Sequence, residues 1–452
     1  MEAFFKPASV AVIGASPTVG KLSYIIMESM LSSGYEGEIY PVNPRYNEIQ
    51  GYKCYPDIAS IGKKVDLAVF AVPASAIAEL LREAAPFISA AIIVSGGFSE
   101  TGEAGRKAEQ ELCAIAEKEG VRVIGPNCIG IFDAVSNVDT FFIARERVKR
   151  PRRGRIALLS QSGSFALTAM DVFASEGIGV TRVVSYGNKM DVNEADCLDY
   201  LAEDDETRAV VIYIEGINDG RRFVEAAKRC AAKKTVMALK VGREGAGKKA
   251  AGSHTGAVAG RYEIYRAAFK EAGIIELSGY EDILDGCRAL NKLGPVSGKR
   301  IMILTDGGGM GVGIADASSA SGFDVSELAK AKVAELKEIF PDYFAVANPM
   351  DLTGSVTDEW FAKALDVALS GDDYDIAIVA SLWGPPHLTD NLPTLIGAVA
   401  LKHKKPVIIC SPGGEYAREK NVLFEEAGLP VYYTPEGAVR AARIVAGLPL
   451  KR

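Results

Sequence analysis

Histidine is scarce: the 452 residues contain three, His254, His387 and His403. There is no HExxH and no carboxylate-flanked histidine cluster, so no resident metal is expected. The seven cysteines (Cys54, Cys113, Cys128, Cys197, Cys230, Cys287 and Cys410) stand singly, with no CxxC. That spacing argues against zinc or a disulfide framework and for reduced thiols in a cytoplasm. No apolar run reaches the roughly 18 residues of a membrane span. The N-terminus, MEAFFKPASVAVIGAS, lacks the charged-then-apolar pattern of a signal peptide. Long basic runs are absent too and the net charge is −7, so neither nucleic acid nor an anionic membrane is an expected partner.

What is present is the composition of a soluble globular protein, 48% hydrophobic and 24% charged. The length calls for several domains. Short β-branched runs alternate with longer amphipathic stretches, which predicts parallel sheets covered by helices. Three sets of about five runs follow one another. The first is SVAVIG (9–14), EIYPVN (38–43), VDLAVFAV (65–72), AAIIVSGG (90–97) and VRVIGP (121–126). The second is RIALLSQSG (155–163), TRVVSYGN (181–188), AVVIYIEG (209–216), KTVMALKVG (234–242) and GIIELSGY (273–280). The third is KRIMILTDGGG (299–309), FDVSEL (323–328), DIAIVASLWG (375–384), KPVIICSPGG (405–414) and LPVYYTP (429–435). The charged, proline-broken ARERVKRPRRGR (144–155) and the Gly/Pro/Ser stretch LNKLGPVSGK (290–299) separate them. The reading is three doubly wound α/β domains in series, 1–145, 146–290 and 291–452. Their ligand sites belong at the carboxyl ends of the strands.

In the first domain VAVIGASPTVGK (10–21) is strand, glycine turn and helix, which offers free N–H groups to an anion. Its spacing, Gly14-x5-Gly20, departs from G-x-G-x-x-G. The second strand ends Tyr40-Pro41-Val42-Asn43-Pro44-Arg45, with no acid for the ribose hydroxyls of NAD. Arg45 instead suits a phosphorylated ribose, as in NADP or the 3′-phosphate of coenzyme A, or is a solvated loop arginine. FAVPASAI (70–77) supplies an apolar turn for an adenine. VIGPNCIGIF (123–132) places Asn127 and Cys128 on a turn, where Cys128 reads as a small buried residue.

In the second domain ALLSQSGSFALTAMDVF (157–173) runs from a strand through a Ser/Gly turn into a helix. Ser162, Gly163 and Ser164 there offer donors to a phosphate. The same stretch resembles a nucleophile elbow with Ser162 as nucleophile and His254 as base, although Ser160 stands where the elbow has its first glycine. VVIYIEGINDG (210–220) ends a buried run with Glu215, a carboxylate that needs a partner. His254 lies between Gly/Ala-rich arms in GAGKKAAGSHTGAVAGRY (245–262). A neutral imidazole is a good nucleophile toward phosphorus, and a carboxylate on one ring nitrogen fixes its tautomer. The plainer alternative is a loop histidine bonded to nearby backbone. His387 follows a strand end and His403 sits in a basic turn. In the third domain TDGGGMGVGIAD (305–316) is a glycine turn able to cradle phosphate but lacking the G-K-[ST] of a P-loop. No chemistry is assigned to Asn348-Pro349-Met350-Asp351-Leu352.

Taken in order, GASPTVGK, VNPR, GPNCIG, SQSGS, IEG and GSHTGA resemble the NDP-forming acyl-CoA synthetases, relatives of succinyl-CoA synthetase. With its third domain the chain is most similar to the α subunits of the ADP-forming acetyl-CoA synthetases. The resemblance implies a CoA-binding Rossmann-like domain followed by two flavodoxin-like ligase domains. It implies three steps: phosphate attacks an acyl-CoA, a histidine takes the phosphoryl group from the acyl phosphate, and ADP receives it as ATP. On this chain the phosphohistidine falls on His254, its orienting carboxylate on Glu215, and the phosphoryl-stabilising turn on Ser162, Gly163 and Ser164. CoA contacts fall on Gly14, Ala15, Ser16, Val42, Asn43, Pro44, Arg45, Ala71, Val72, Pro73, Ser95, Gly96, Gly97, Asn127 and Cys128. ADP and Mg²⁺ are expected on a β subunit with an ATP-grasp domain, in an α2β2 heterotetramer in the cytoplasm. The succinyl enzyme's SRSG turn is SQSG here, Ser160 to Gly163, which leaves the acid unidentified; the family suggests a small monoacid. The alternative is a non-catalytic CoA- or NADP-binding module.

Overall fold

The computed structural model describes residues 1–245, 247 and 261–448. It divides into two compact units, Met1–Glu276 and the remainder from Leu277 onward. His254 lies outside the described residues.

The first unit holds two sheets. In one, five parallel strands run in the order Glu38–Val42, Ser9–Ile13, Val65–Phe70, Ile88–Ile93, Arg122–Ile124. Ser9–Ile13 is buried along its whole length, as its SVAVI sequence requires of a central strand covered on both faces. The other sheet repeats the order with Val180–Ser185, Arg153–Ser160, Ala209–Ile214, Thr235–Lys240 and Ile275–Glu276. Its far edge is extended by an antiparallel pair, Gly130–Asp133 and Val138–Asp139. These last residues precede the expected joint at 144–155, so the polypeptide of the first domain supplies two strands to the second sheet. Arg182 fastens them. It is buried, its Nε lies 2.7 Å from Asp133, its other end reaches Asp204, and its guanidinium packs over Phe5 and Tyr200. Such a buried charge is tolerated only when paired on this scale.

The second unit carries a third sheet of the same order, Met350–Asp351, Ile301–Thr305, Ile376–Ala380, Val407–Cys410, Val431–Tyr432. The helix Tyr280–Lys292 belongs to this unit, where Arg440 pairs with Asp285 at 2.6 Å and Tyr432 donates to the Asp285 carbonyl at 2.6 Å. The chain therefore passes from one unit to the next before the expected linker at 290–299. One strand expectation fails: FDVSEL (323–328) is not a strand and touches the sheet through a single bridge, Arg300 to Asp324. The cause is Asn348. Its Oδ1 accepts from the Ile303 N–H at 3.0 Å, while Nδ2 donates to the Ile301 and Ser326 carbonyls, each at 2.9 Å. A side-chain amide thus takes the ladder positions of the missing strand, and Met350–Asp351 completes the edge. Among the described residues no helix is long and apolar enough to cross a membrane.

Candidate active site

At the carboxyl ends of the first sheet lies a cleft of about 1250 Å³. It opens at the switch point between Ser9–Ile13 and Val65–Phe70, where the chain leaves in opposite directions. Gly14 closes the turn with φ 84°; a Cβ there would stand 2.4 Å from Val72 Cγ1. Its N–H donates to the Val42 carbonyl at 2.9 Å, and Asn43 Nδ2 returns to the Ala15 carbonyl at 2.8 Å. The two strand ends are thereby tied together. Of the residues expected to contact CoA, Gly14, Ser16, Val42, Asn43, Pro44, Arg45, Ala71, Val72, Pro73, Ser95 and Gly96 line this cleft. Ala15 is fully buried behind it, and the Gly97 N–H donates to Glu100 at 2.5 Å. Arg45 is exposed and has no acidic partner among the described residues. Lys21, the residue preceding the Leu22–Ser32 helix, also lines the cleft. Within GASPTVGK the one signal that marks Lys21 is its place directly before a helix.

A second cavity, about 270 Å³, adjoins the same strand end: Val94 lines it, while Ser95 and Gly96 line the cleft. Here Ser162, Gly163, Ser164, Glu215, Asn127 and Cys128 come together. Asn127 and Cys128 therefore face this cavity rather than the large cleft. Cys128 is buried with its Sγ 3.3 Å from the Ile93 carbonyl, and burial pushes its thiol up to about 12, so it has no thiolate for chemistry near neutrality. Ser162 caps the Gly163–Ser175 helix, accepting from the Phe165 N–H at 3.3 Å, and its hydroxyl lies 3.1 Å from that of Ser164. Gly163 is required because a Cβ would stand 2.5 Å from Ile129 Cγ1. Free N–H groups at this helix start are a ready anion site.

The Glu215 turn is held by three side chains that sequence reasoning did not assign. Gln161 Oε1 accepts from the Glu215 and Gly216 N–H groups at 2.6 and 2.8 Å. Lys240 Nζ donates to the Glu215 carbonyl at 2.9 Å, and Lys189 Nζ to the Gly216 carbonyl at 2.5 Å. Both lysines are buried; Lys189 pairs with Glu194 at 3.0 Å, and burial pushes Lys240 down to about 8 against the opposing pull of Glu215. Asn188 completes the wall. It accepts from Asn127 Nδ2 at 3.2 Å and donates to Glu100 and Glu109 at 2.7 and 2.8 Å. Among the described residues no cluster of His, Cys, Asp or Glu fits a metal ion.

The comparisons with known proteins follow this division. A CoA binding domain matches residues 8–134, and a succinyl-CoA ligase like flavodoxin domain matches residues 153–290. Fold and site thus define a CoA-binding domain joined to a ligase-type flavodoxin domain. The acetate–CoA ligase [ADP-forming] I subunit alpha of Pyrococcus furiosus is 37% identical over 98% of this chain and 96% of its own length. Acetate–CoA ligase [ADP-forming] I of Archaeoglobus fulgidus is 38% identical over 98% of this chain, which spans 63% of that relative. The dinucleotide forming acetyl-coenzyme A synthetase 1 of Ca. Korarchaeum cryptofilum, solved with phosphate and ADP, superposes with a TM-score of 0.92 at 32% identity, covering 99% of this chain and 96% of that one. The chain belongs to the family of ADP-forming acetate–CoA ligase α subunits.

Proposed function

We propose that this chain is the α subunit of an ADP-forming acyl-CoA synthetase that makes an acyl phosphate from acyl-CoA and phosphate and passes the phosphoryl group through His254. The observation that supports it most is adjacency: a cleft suited to CoA and a helix-start anion site meet at one strand end, where Ser95 and Gly96 line the cleft and Val94 lines the smaller cavity. On this reading Arg45 and Lys21 meet CoA phosphates, and the apolar turn at Ala71 to Pro73 covers the adenine. The thioester is then presented to the smaller cavity. Phosphate held at Ser162, Gly163 and Ser164 attacks the thioester carbonyl; the C–S bond breaks and the thiolate leaves as CoA. His254 attacks phosphorus in the acyl phosphate, the P–O bond to the acyl group breaks, and the acid leaves as carboxylate. Glu215, whose turn with Gly216 is held by four hydrogen bonds to its backbone groups, holds the imidazole in the nucleophilic tautomer. ADP and Mg²⁺ bind a β subunit with an ATP-grasp domain, where the metal offsets phosphate charge; the assembly is an α2β2 heterotetramer in the cytoplasm.

Incubation of the chain with acetyl-CoA and labelled phosphate is expected to give acid-labile, base-stable label on protein. His254→Asn abolishes it, and Glu215→Gln lowers it while CoA binding stays intact. Label that survives His254→Asn overturns the reading, and acid-stable label that depends on Ser162 points to a serine ester instead. CoA binding without any label points to a non-catalytic CoA-binding module.

A further inference from the structure

Around the smaller cavity Val94, Ile129 and Phe142 offer no donor, and the hydroxyls of Ser162 and Ser164 belong to the anion turn. That leaves the side-chain amides of Asn127, Gln161 and Asn188. We propose that Asn127 is the catalytic donor of the first chemical step, its Nδ2–H bonding the thioester carbonyl oxygen as that oxygen becomes an oxyanion. Glu100, Glu109 and Asn188 are the positioning residues that hold its amide in the donating orientation. The proposal rests on the reading of this cavity as the place where acyl phosphate forms.

Position carries the first part. Asn127 is exposed and lines the cavity, yet its main-chain N–H donates to the Ser95 carbonyl at 2.9 Å, and a Cβ on Gly96 would stand 3.2 Å from Asn127 Oδ1. Ser95 and Gly96 line the large cleft, so this amide stands where cleft and cavity meet, the point a thioester must reach. Gln161 is instead engaged with the Glu215 turn through Oε1. Orientation carries the second part. Glu100 Oε2 and Glu109 Oε2 each accept from Asn188 Nδ2, at 2.7 and 2.8 Å. Burial opposes ionisation of Glu100, but the hydrogen bonds from Asn188 and from the Gly97 N–H hold its carboxyl below the ordinary carboxylate range. A carboxylate only accepts, so both N–H groups of Asn188 are committed, and the atom it turns to Asn127 Nδ2, 3.2 Å away, must be Oδ1. One Asn127 N–H is thereby fixed on Asn188, and the second has no partner among the described residues. In the step itself a phosphate oxygen bonds to the carbonyl carbon, the C=O electron pair moves onto oxygen, and its return expels the thiolate. The Asn127 proton is shared with that oxygen and stays on nitrogen. A fixed neutral donor of this kind acts on charge that develops only in the transition state.

The test compares two routes to labelled protein: acetyl-CoA with labelled phosphate, which passes through the thioester step, and labelled acetyl phosphate, which enters after it. Asn127 has a left-handed backbone, φ 57°, which glycine also adopts, so Asn127→Gly removes the amide without straining the turn. This variant is expected to slow labelling from saturating acetyl-CoA by about a hundredfold or more. Labelling from acetyl phosphate is expected to fall by no more than about threefold, because departing acetate shares its charge over two oxygens and needs little help from a donor. Asn188→Ala, which frees the amide to rotate, is expected to show the same selective loss at about tenfold. If Asn127→Gly fails to fold, judged by CoA binding, Asn127→Asp carries the comparison, since aspartate keeps the shape and tolerates the left-handed turn but cannot donate. Equal losses on both routes, wild-type rates on both, or a loss confined to the acetyl-CoA KM overturn this inference and leave the proposed function standing. A wild-type chain that acetyl-CoA and phosphate fail to label overturns both.

Discussion

Two turns of this chain share one backbone design and differ in charge. Ser160 to Ser164 in the first unit and Thr305 to Gly309 in the second each end a central strand and start a 13-residue helix. In both, the hydroxyl of the first residue donates to the carbonyl two residues on: Ser160 to Ser162 at 2.7 Å and Thr305 to Gly307 at 3.0 Å. In both, the next side chain accepts from the neighbouring strand end. Gln161 takes the Glu215 and Gly216 N–H groups; Asp306 takes that of Leu382 at 3.0 and 3.1 Å. The contrast follows from there. Where Ser162 caps the first helix, Gly307 has no side chain to offer, and a Cβ on Gly308 would meet Asp351 Oδ2 at 2.6 Å. The glycine-rich turn expected to cradle phosphate is thus faced by the protein's own carboxylates. Burial pushes Asp306 up to about 6, with Asp351 adding to the effect. A helix start attracts negative charge of either origin, a ligand's or the chain's own, so glycine content alone does not distinguish the two.

Converting the first turn toward the second is the direct way to break this comparison. Ser162→Asp places a carboxylate at the helix cap, a position aspartate favours, so folding is retained while phosphate meets a like charge. Labelling from phosphate is expected to fall by about a thousandfold with CoA affinity unchanged; a variant that keeps its phosphate KM removes the anion role from this turn. Gln161→Glu is milder. The new side chain still accepts from both N–H groups but brings the charge of Asp306 into the cavity, and phosphate KM is expected to rise by about tenfold. Were Gln161 only a clamp on Glu215, this variant would behave as wild type.

The smallest effect lies in the second turn. Asp306 has a folded value above its unfolded one, so the native state binds the extra proton between about pH 4 and 6. Stability then declines as pH rises through that window, by about 3 kcal/mol in all. Asp306→Asn should unfold like wild type at pH 4 and several degrees higher at pH 7. Parallel Tm-against-pH curves would show that Asp306 is not held protonated.

Much of this was legible in the sequence because buried parallel strands announce themselves as near-continuous apolar runs. All ten runs of the first unit and four of the third sheet are strands. FDVSEL misled because its apolar residues resemble a strand, whereas its ladder partner is the amide of Asn348, a residue more than twenty positions away. SQSG and IEG line one cavity because each ends a strand of the same sheet. Gln161, Lys189 and Lys240 stayed hidden for a different reason. Each acts on the backbone of residues 215 and 216, a relation set by strand register and invisible to side-chain spacing. Val94, Ile129 and Phe142 were hidden by their ordinariness: an apolar wall and an apolar core look alike until the cavity beside them is seen.

The hairpin at 130–139, pinned by Arg182, has a kinetic meaning. It joins the sheet of the CoA binding domain to the sheet that carries Ser162 and Glu215, so on the proposed function both reactants are delivered at a preset separation instead of searching for one another. Reactions between partners held in this way gain from translational and rotational entropy lost beforehand, at effective concentrations far beyond any cellular phosphate level. On that reading the chain is an intramolecular reaction vessel, and loosening the hairpin from the second sheet would return the first chemical step to a collision between two bodies.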